Sequence, residues 1–267
     1  MASQISPITA ETKLSMAGLA SQRHWRIGFF TVMPGVIFLV VLVGFTRTLY
    51  ARPLFHPRPI PPYLYVHGIV LTCWFAWAWA QSLLISAGSI TNHRRSGTLG
   101  AGFAAVVFAG ALMATVGLVS RRGLDLNASA SVLGIGIRGI TVAQFYSGVV
   151  WHNIANALSF GLFVAGAVIF RRRPQIHKRL MIFASISLLN PPLARIARFP
   201  GFGGEQGPFT PIVVWSLIAA VAIYDLLSRK RVEPCTVIAV MWLFIIRNAA
   251  GFIAHTHLGV SLIYALR

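Results

Sequence analysis

The chain has 267 residues, of which 56% are hydrophobic and 10% charged, and its mean hydropathy is +0.72. A soluble domain carries about 25% charged residues, so these values indicate an integral membrane protein and exclude a soluble enzyme. Twenty-three basic residues stand against five acidic ones (Glu11, Asp125, Glu205, Asp225 and Glu233), for a formal charge of +18; most of the Lys and Arg flank apolar stretches, where they anchor helix ends among anionic headgroups, so no nucleic-acid partner is expected.

Residues 1–25 are polar, Ser-rich and nearly acid-free, and form an N-terminal segment ahead of a single membrane domain over residues 26–267. No short apolar core with a small-residue cleavage site precedes the first span, which argues against a cleaved signal peptide. The hydropathy pattern predicts an all-α, polytopic transmembrane helical bundle of about seven helices, each with the roughly 20 apolar residues a bilayer requires. The first covers residues 27–46 and contains Pro34, which membrane helices tolerate. A proline-rich loop follows, then spans at 63–87 and 99–120. In the third, Ala101, Ala105 and Ala109 form one row and Gly110 and Ala114 another. Small residues four apart let backbones approach closely in lipid, so this helix is expected to pack centrally.

The segment RRGLDLNASASVLGIGIRGI has room for a short interfacial helix. The fourth span covers 145–170. The fifth starts near His177 and is interrupted at Asn190-Pro191-Pro192; the sixth covers 211–227; the seventh runs from near Cys235 past Arg247 towards His255 and His257. The distribution of Lys and Arg between the two sets of loops predicts a bacterial inner membrane protein with its N-terminus in the cytoplasm. Cys73 and Cys235 have no paired spacing, so neither a disulfide framework nor a zinc site is expected. There is no Walker A loop, no G-x-S-x-G and no HExxH, and GIGIRG at 134–139 lacks the Rossmann spacing.

One device occurs twice. YLYVHGIVLTCWFAWAWAQSLLISAGSITNHRR (63–95) places His67 near the start of a span and His93, followed by Arg94 and Arg95, just past its end. VVWHNIANALSFGLFVAGAVIFRRRPQIHKR (149–179) places His152 inside a span and His177, followed by Lys178 and Arg179, beyond it. The two His-to-His offsets agree to within one residue. His67, Trp74 and Gln81 share one helix face, as do His152, Asn156 and Ser159. Polar groups in hydrocarbon are costly unless they turn inward and find partners, so both faces are expected to look into the bundle. His67 and His152 then lie at similar depth near one surface, roughly 8–10 Å inside their helix ends at 1.5 Å per residue. His93 and His177 then sit together at the opposite surface, heading the third and fifth helices.

This layout resembles that of the cytochrome b561 family, in which four helices hold two b-type haems, one near each face, through paired histidines. The resemblance covers residues 63–198 and is one of layout rather than of a diagnostic motif. It implies that His67 and His152 bind one haem iron and that His93 and His177 bind a second, with a quinone or another redox partner exchanging electrons. The chain is also similar to a family of bacterial predicted multi-pass membrane proteins with an H…Q…HRR…G pattern, which implies no activity. The physical case for haem b is that neutral imidazole is a good iron ligand and that axial ligands and burial set the potential. The bland alternative is that the span histidines bond across helices while the other two join the basic anchors.

Arg247 is the other costly residue, about midway along the seventh span, where a charge costs at least ~2.5 kcal/mol on insertion scales. It can pair with Asp225, with carbonyls freed near Pro191, or with a bound anion such as a haem propionate; if the helix ends early, it snorkels. His255 and His257 either join His67 and His152 in a metal site or mark an interfacial helix end. The first functional expectation is a haem-binding transmembrane electron carrier or reductase subunit. The alternatives are a small transporter or channel using Arg247 and the broken fifth helix, or a non-catalytic accessory subunit.

Overall fold

An apolar run can cross a bilayer only if every backbone polar group is bonded internally, and this chain meets that demand with helices. The computed structural model describes residues 27–55, 60–120, 125–133, 139–202 and 207–266. The N-terminal segment 1–25 lies outside the described residues, as do parts of the loops at 56–59, 121–124, 134–138 and 203–206. Among the described residues there is no strand, only an isolated bridge between Ser129 and Thr141. The helices are α1 Phe29–Phe45, prolonged by a π turn Thr46–Tyr50; α2 Arg52–Phe55; α3 Pro62–Ser86; α4 Ile90–Val119; α5 Val142–Ile169; α6 Pro174–Ser187; α7 Asn190–Ala197; α8 Phe209–Arg229; α9 Pro234–His255; and α10 His257–Ala265. A 3-10 turn, Ala130–Leu133, sits in the α4–α5 connection, where the sequence leaves room for a short interfacial helix.

Six helices (α1 with its π turn, α3, α4, α5, α8 and α9) are each long and apolar enough to cross a membrane, and α6 with α7 makes a seventh, bent span. Large apolar side chains that face outward along them, among them Leu99, Met113, Ile212, Ile238 and Phe252, form the lipid-facing surface.

Local chemistry sets the ends. Proline occupies the first turn of α3, α6, α7 and α9, where its missing N–H and fixed φ are harmless. A capping box opens α5: the Gln144 amide donates to Thr141 Oγ1 at 3.2 Å and the Thr141 amide to Gln144 Oε1 at 2.8 Å. The bend of 46° between α6 and α7 follows from Pro191 and Pro192, which have no N–H to donate and clash with the preceding turn. The chain starts a new helix instead. Glycine at position 44 lets α1 meet this break, since a Cβ there would stand 2.5 Å from the Pro192 carbonyl oxygen.

Two expectations are corrected. The helix expected from residue 99 begins at Ile90, nine residues earlier, and His93, expected to head it, lies in its first turn. Of the two small-residue rows of that helix, the one with Ala105 and Ala109 faces outward, both residues being exposed, whereas Gly110 of the other faces His67 on α3. The buried face of α4 carries Gly100, Ala104, Val107, Thr115 and Val119 instead, with Gly100 under the Trp77 indole. Small residues bring helices close only where a neighbour lies on that side, and α3 and α5 lie on the other. The central helix is α5, which packs against α4, α6, α9 and α10. At its middle Phe160 meets Trp74 of α3 edge to face, ring centres 4.9 Å apart, both sealed from solvent.

Candidate functional site: polar clusters at the two ends of the bundle

At one end, α6 and α8 are joined by a fully buried ion pair. Arg179 donates from Nε to both Asp225 oxygens, at 3.0 and 3.2 Å, and its Nη2 bonds Oδ1 as well. Its Nη1 donates to the Gln175 carbonyl at 2.7 Å and to Gln175 Oε1 at 3.0 Å. Asp225 Oδ2 also accepts from Thr236 Oγ1 at 2.7 Å and from the Glu233 amide at 3.2 Å. Every lone pair of this carboxylate is thus engaged, which makes a buried pair tolerable. Sequence reasoning missed the pairing: Arg179 reads as one of several interfacial cations, and Asp225 as a possible partner of Arg247. The available signal was the rarity of Asp225, an acid inside an apolar span, which requires a cation at its own level.

At the same end lie His93 and His177, each the fourth residue of its helix, α4 and α6. Their ring centres are 6.2 Å apart and their planes cross at 83°. His177 Nδ1 bonds the Ala167 carbonyl at 2.8 Å, so its Nε2 is left for another partner. His93 Nδ1 is buried with no hydrogen-bond partner, and so is Gln81 Oε1, whose Nε2 donates to Ser96 Oγ at 2.7 Å. Arg94 and Arg95 are exposed next to His93. Lys178 lies over the Phe30 ring, 4.0 Å from its centre.

The other end holds His67, His152 and Arg247. The structure records no contact between His67 and His152, and their neighbours differ. His67 faces α4, its Nδ1 3.4 Å from where a Cβ on Gly110 would stand, and this nitrogen is buried without a partner. His152 faces α9 near Gly251, and its Nδ1 bonds the carbonyl of Gly148 on its own helix at 2.8 Å. Arg247 is the fourteenth of the 22 residues of α9, which runs on to His255; the helix does not end early. Asp225 belongs to Arg179, and the Pro191 carbonyl accepts from Arg195 Nη1 at 2.7 Å. What remains for Arg247 is Nη1 against two amide oxygens, Asn156 Oδ1 at 3.5 Å and Asn190 Oδ1 at 3.4 Å. Both are long for a hydrogen bond.

The chain turns at Thr256, whose Oγ1 accepts from the Gly259 amide at 3.0 Å to start α10. That short helix packs back on α5, where Trp151 Nε1 donates to the Gly259 carbonyl at 3.2 Å. His255 and His257 are exposed at this turn. Among the described residues no three of His, Cys, Asp or Glu come together as a metal site. No protein-family model, curated protein or solved structure matches the chain.

Proposed function

We propose that this integral membrane protein is an electron carrier, or the haem-bearing subunit of a reductase, that holds a b-type haem between His93 and His177. The observation that carries the reading is the spacing of these two rings, 6.2 Å between centres. Two imidazoles on opposite faces of one metal ion have ring centres about 6 Å apart, the sum of two metal–nitrogen bonds of about 2.0 Å and roughly 1.1 Å from each nitrogen to its ring centre. The donor set fits the group in two further respects. The Ala167 carbonyl holds His177 Nδ1, the bond that fixes an axial histidine's tautomer and orientation and leaves Nε2 for iron. His93 brings a buried Nδ1 that makes no well-formed hydrogen bond.

When bound, the haem supplies a one-electron couple whose potential follows from its axial ligands and its burial. The protein's part is to hold the two rings at this separation. Arg179 and Asp225 brace α6 against α8 next to His177, and Arg94 and Arg95 offer cations to propionates. A quinol-class donor or a redox protein at the membrane surface is the partner this reading requires. The outer pair of the expected layout, His67 with His152, is not part of the proposal, because the two face different helices. Purified from cells supplied with haem, the full chain is expected to yield about one protohaem per polypeptide on acid extraction. A preparation free of haem would overturn the reading.

The same proposal places the His93 end in the cytoplasm of a bacterium. Arg94, Arg95, Arg171, Arg172, Arg173, Lys178, Arg229, Lys230 and Arg231 cluster at that end, against Arg47, Arg52, Arg195 and Arg198 among the described residues at the other. A reporter enzyme fused after Arg173 should be active in the cytoplasm, and one fused after Arg138 on the opposite side. The reverse pattern would invert the assignment.

A further inference from the structure

Arg247 lies about 12 Å along α9 from His255 at 1.5 Å per residue, inside a membrane span, and none of the described acidic residues reaches it. Asp225 is held by Arg179 and Thr236, Glu233 bonds Arg229 at the opposite end of α9, and Asp125 accepts from the Asn127 amide in the α4–α5 connection. A charge taken out of water without a counter-charge is strongly disfavoured. The neighbouring groups do not relieve it, since two amide oxygens at 3.4 and 3.5 Å engage only one of its three nitrogens. Asn156 even turns an unsatisfied donor inward: the residue is 5% exposed and its Nδ2 has no partner. One of those amides, Asn190, opens α7, so the positive end of a helix dipole adds to the guanidinium charge rather than offsetting it.

The guanidinium borders an open groove of about 550 Å³ between α5 and α9, lined by His152, Asn248, Gly251, Phe252, His255 and Thr256 as well. Both histidines have Nδ1 tied to the carbonyl one turn back, His152 to Gly148 at 2.8 Å and His255 to Gly251 at 2.7 Å. Their Nε2 atoms are therefore left for a ligand. Along α9, Met241, Phe244 and Ile245 face outward and carry an apolar track away from the groove.

We infer that this groove is an oxyanion site that takes a phosphate group, with Arg247 as its counter-ion and His152 and His255 as flanking donors. The inference does not rest on the haem. The phosphate can come from a phospholipid whose acyl chains follow the apolar track, or from free phosphate entering at the open end.

The test uses the full chain in a neutral detergent. Thermal unfolding is followed during titration with phosphatidylglycerol, with diacylglycerol as the uncharged control, and separately with inorganic phosphate. The wild type should be stabilised in a saturable manner by phosphatidylglycerol or by phosphate, and not by diacylglycerol. Stabilisation by phosphatidylglycerol that phosphate does not compete away identifies a lipid site; stabilisation by phosphate itself identifies a free-anion site. Arg247→Gln should raise the midpoint at least tenfold, whereas Arg231→Gln, on an exposed residue, should leave it unchanged. Should Arg247→Gln fail to fold, His255→Ala, on an exposed lining residue, decides, with an expected weakening of several-fold. No stabilisation by either phosphate source, or an unchanged midpoint in the deciding variant, would overturn the site.

Discussion

Arg179→Leu is expected to remove most of the folded protein from a detergent extract, and Asp225→Leu to do the same. Each leaves its partner charged and sealed between α6 and α8, where side-chain exposure is 0% on both sides. Deleting one member of a buried pair costs about 3–5 kcal/mol, against a total stability of about 5–15 kcal/mol. The double replacement Arg179→Met with Asp225→Leu should recover a large part of the loss, because an apolar pair of similar volume carries no desolvation penalty. Recovery will be incomplete, since Thr236 Oγ1 and the Glu233 amide lose an acceptor. Melting temperature measured by size-exclusion chromatography after heating reads all three variants. Single variants that melt within a degree or two of the wild type would show that this pair does not hold the two helices together.

The spans were legible because a bilayer demands long apolar runs, and the hydropathy pattern locates each of them to within a few residues, with one exception. The break at Asn190-Pro191-Pro192 was legible for an equally local reason, the absence of two N–H groups. The exception is the start of α4. Its first turns, ITNHRRSGT, are polar because they lie at the membrane surface, and a hydropathy reading cannot tell an interfacial helical turn from a loop.

The reading still set His93 and His177 together at the heads of their helices, and their rings are 6.2 Å apart. The spacing repeat identified the four histidines, but which of them meet depends on how each helix is rotated about its axis, and spacing is silent on rotation. Arg179 and Asp225, 46 residues apart, illustrate the same limit. The expense of Arg247 was plain from its position, whereas it emerged only once Asp225 was seen to be engaged elsewhere that none of the described carboxylates reaches it.

The difference spectrum, dithionite-reduced minus oxidised, of the purified protein and its four histidine variants tests the proposed function most directly. If His93 and His177 bind the two faces of one iron, the wild type should show the sharp bands of six-coordinate b haem. His93→Ala and His177→Ala should each abolish those bands, or replace them with those of a five-coordinate haem of much lower occupancy, because one porphyrin needs both axial partners. His67→Ala and His152→Ala should keep the wild-type spectrum, since their rings face Gly110 and Gly251 on different helices. A wild-type spectrum without haem bands, or bands lost on removal of His67 or His152 and retained without His93 and His177, would contradict the account.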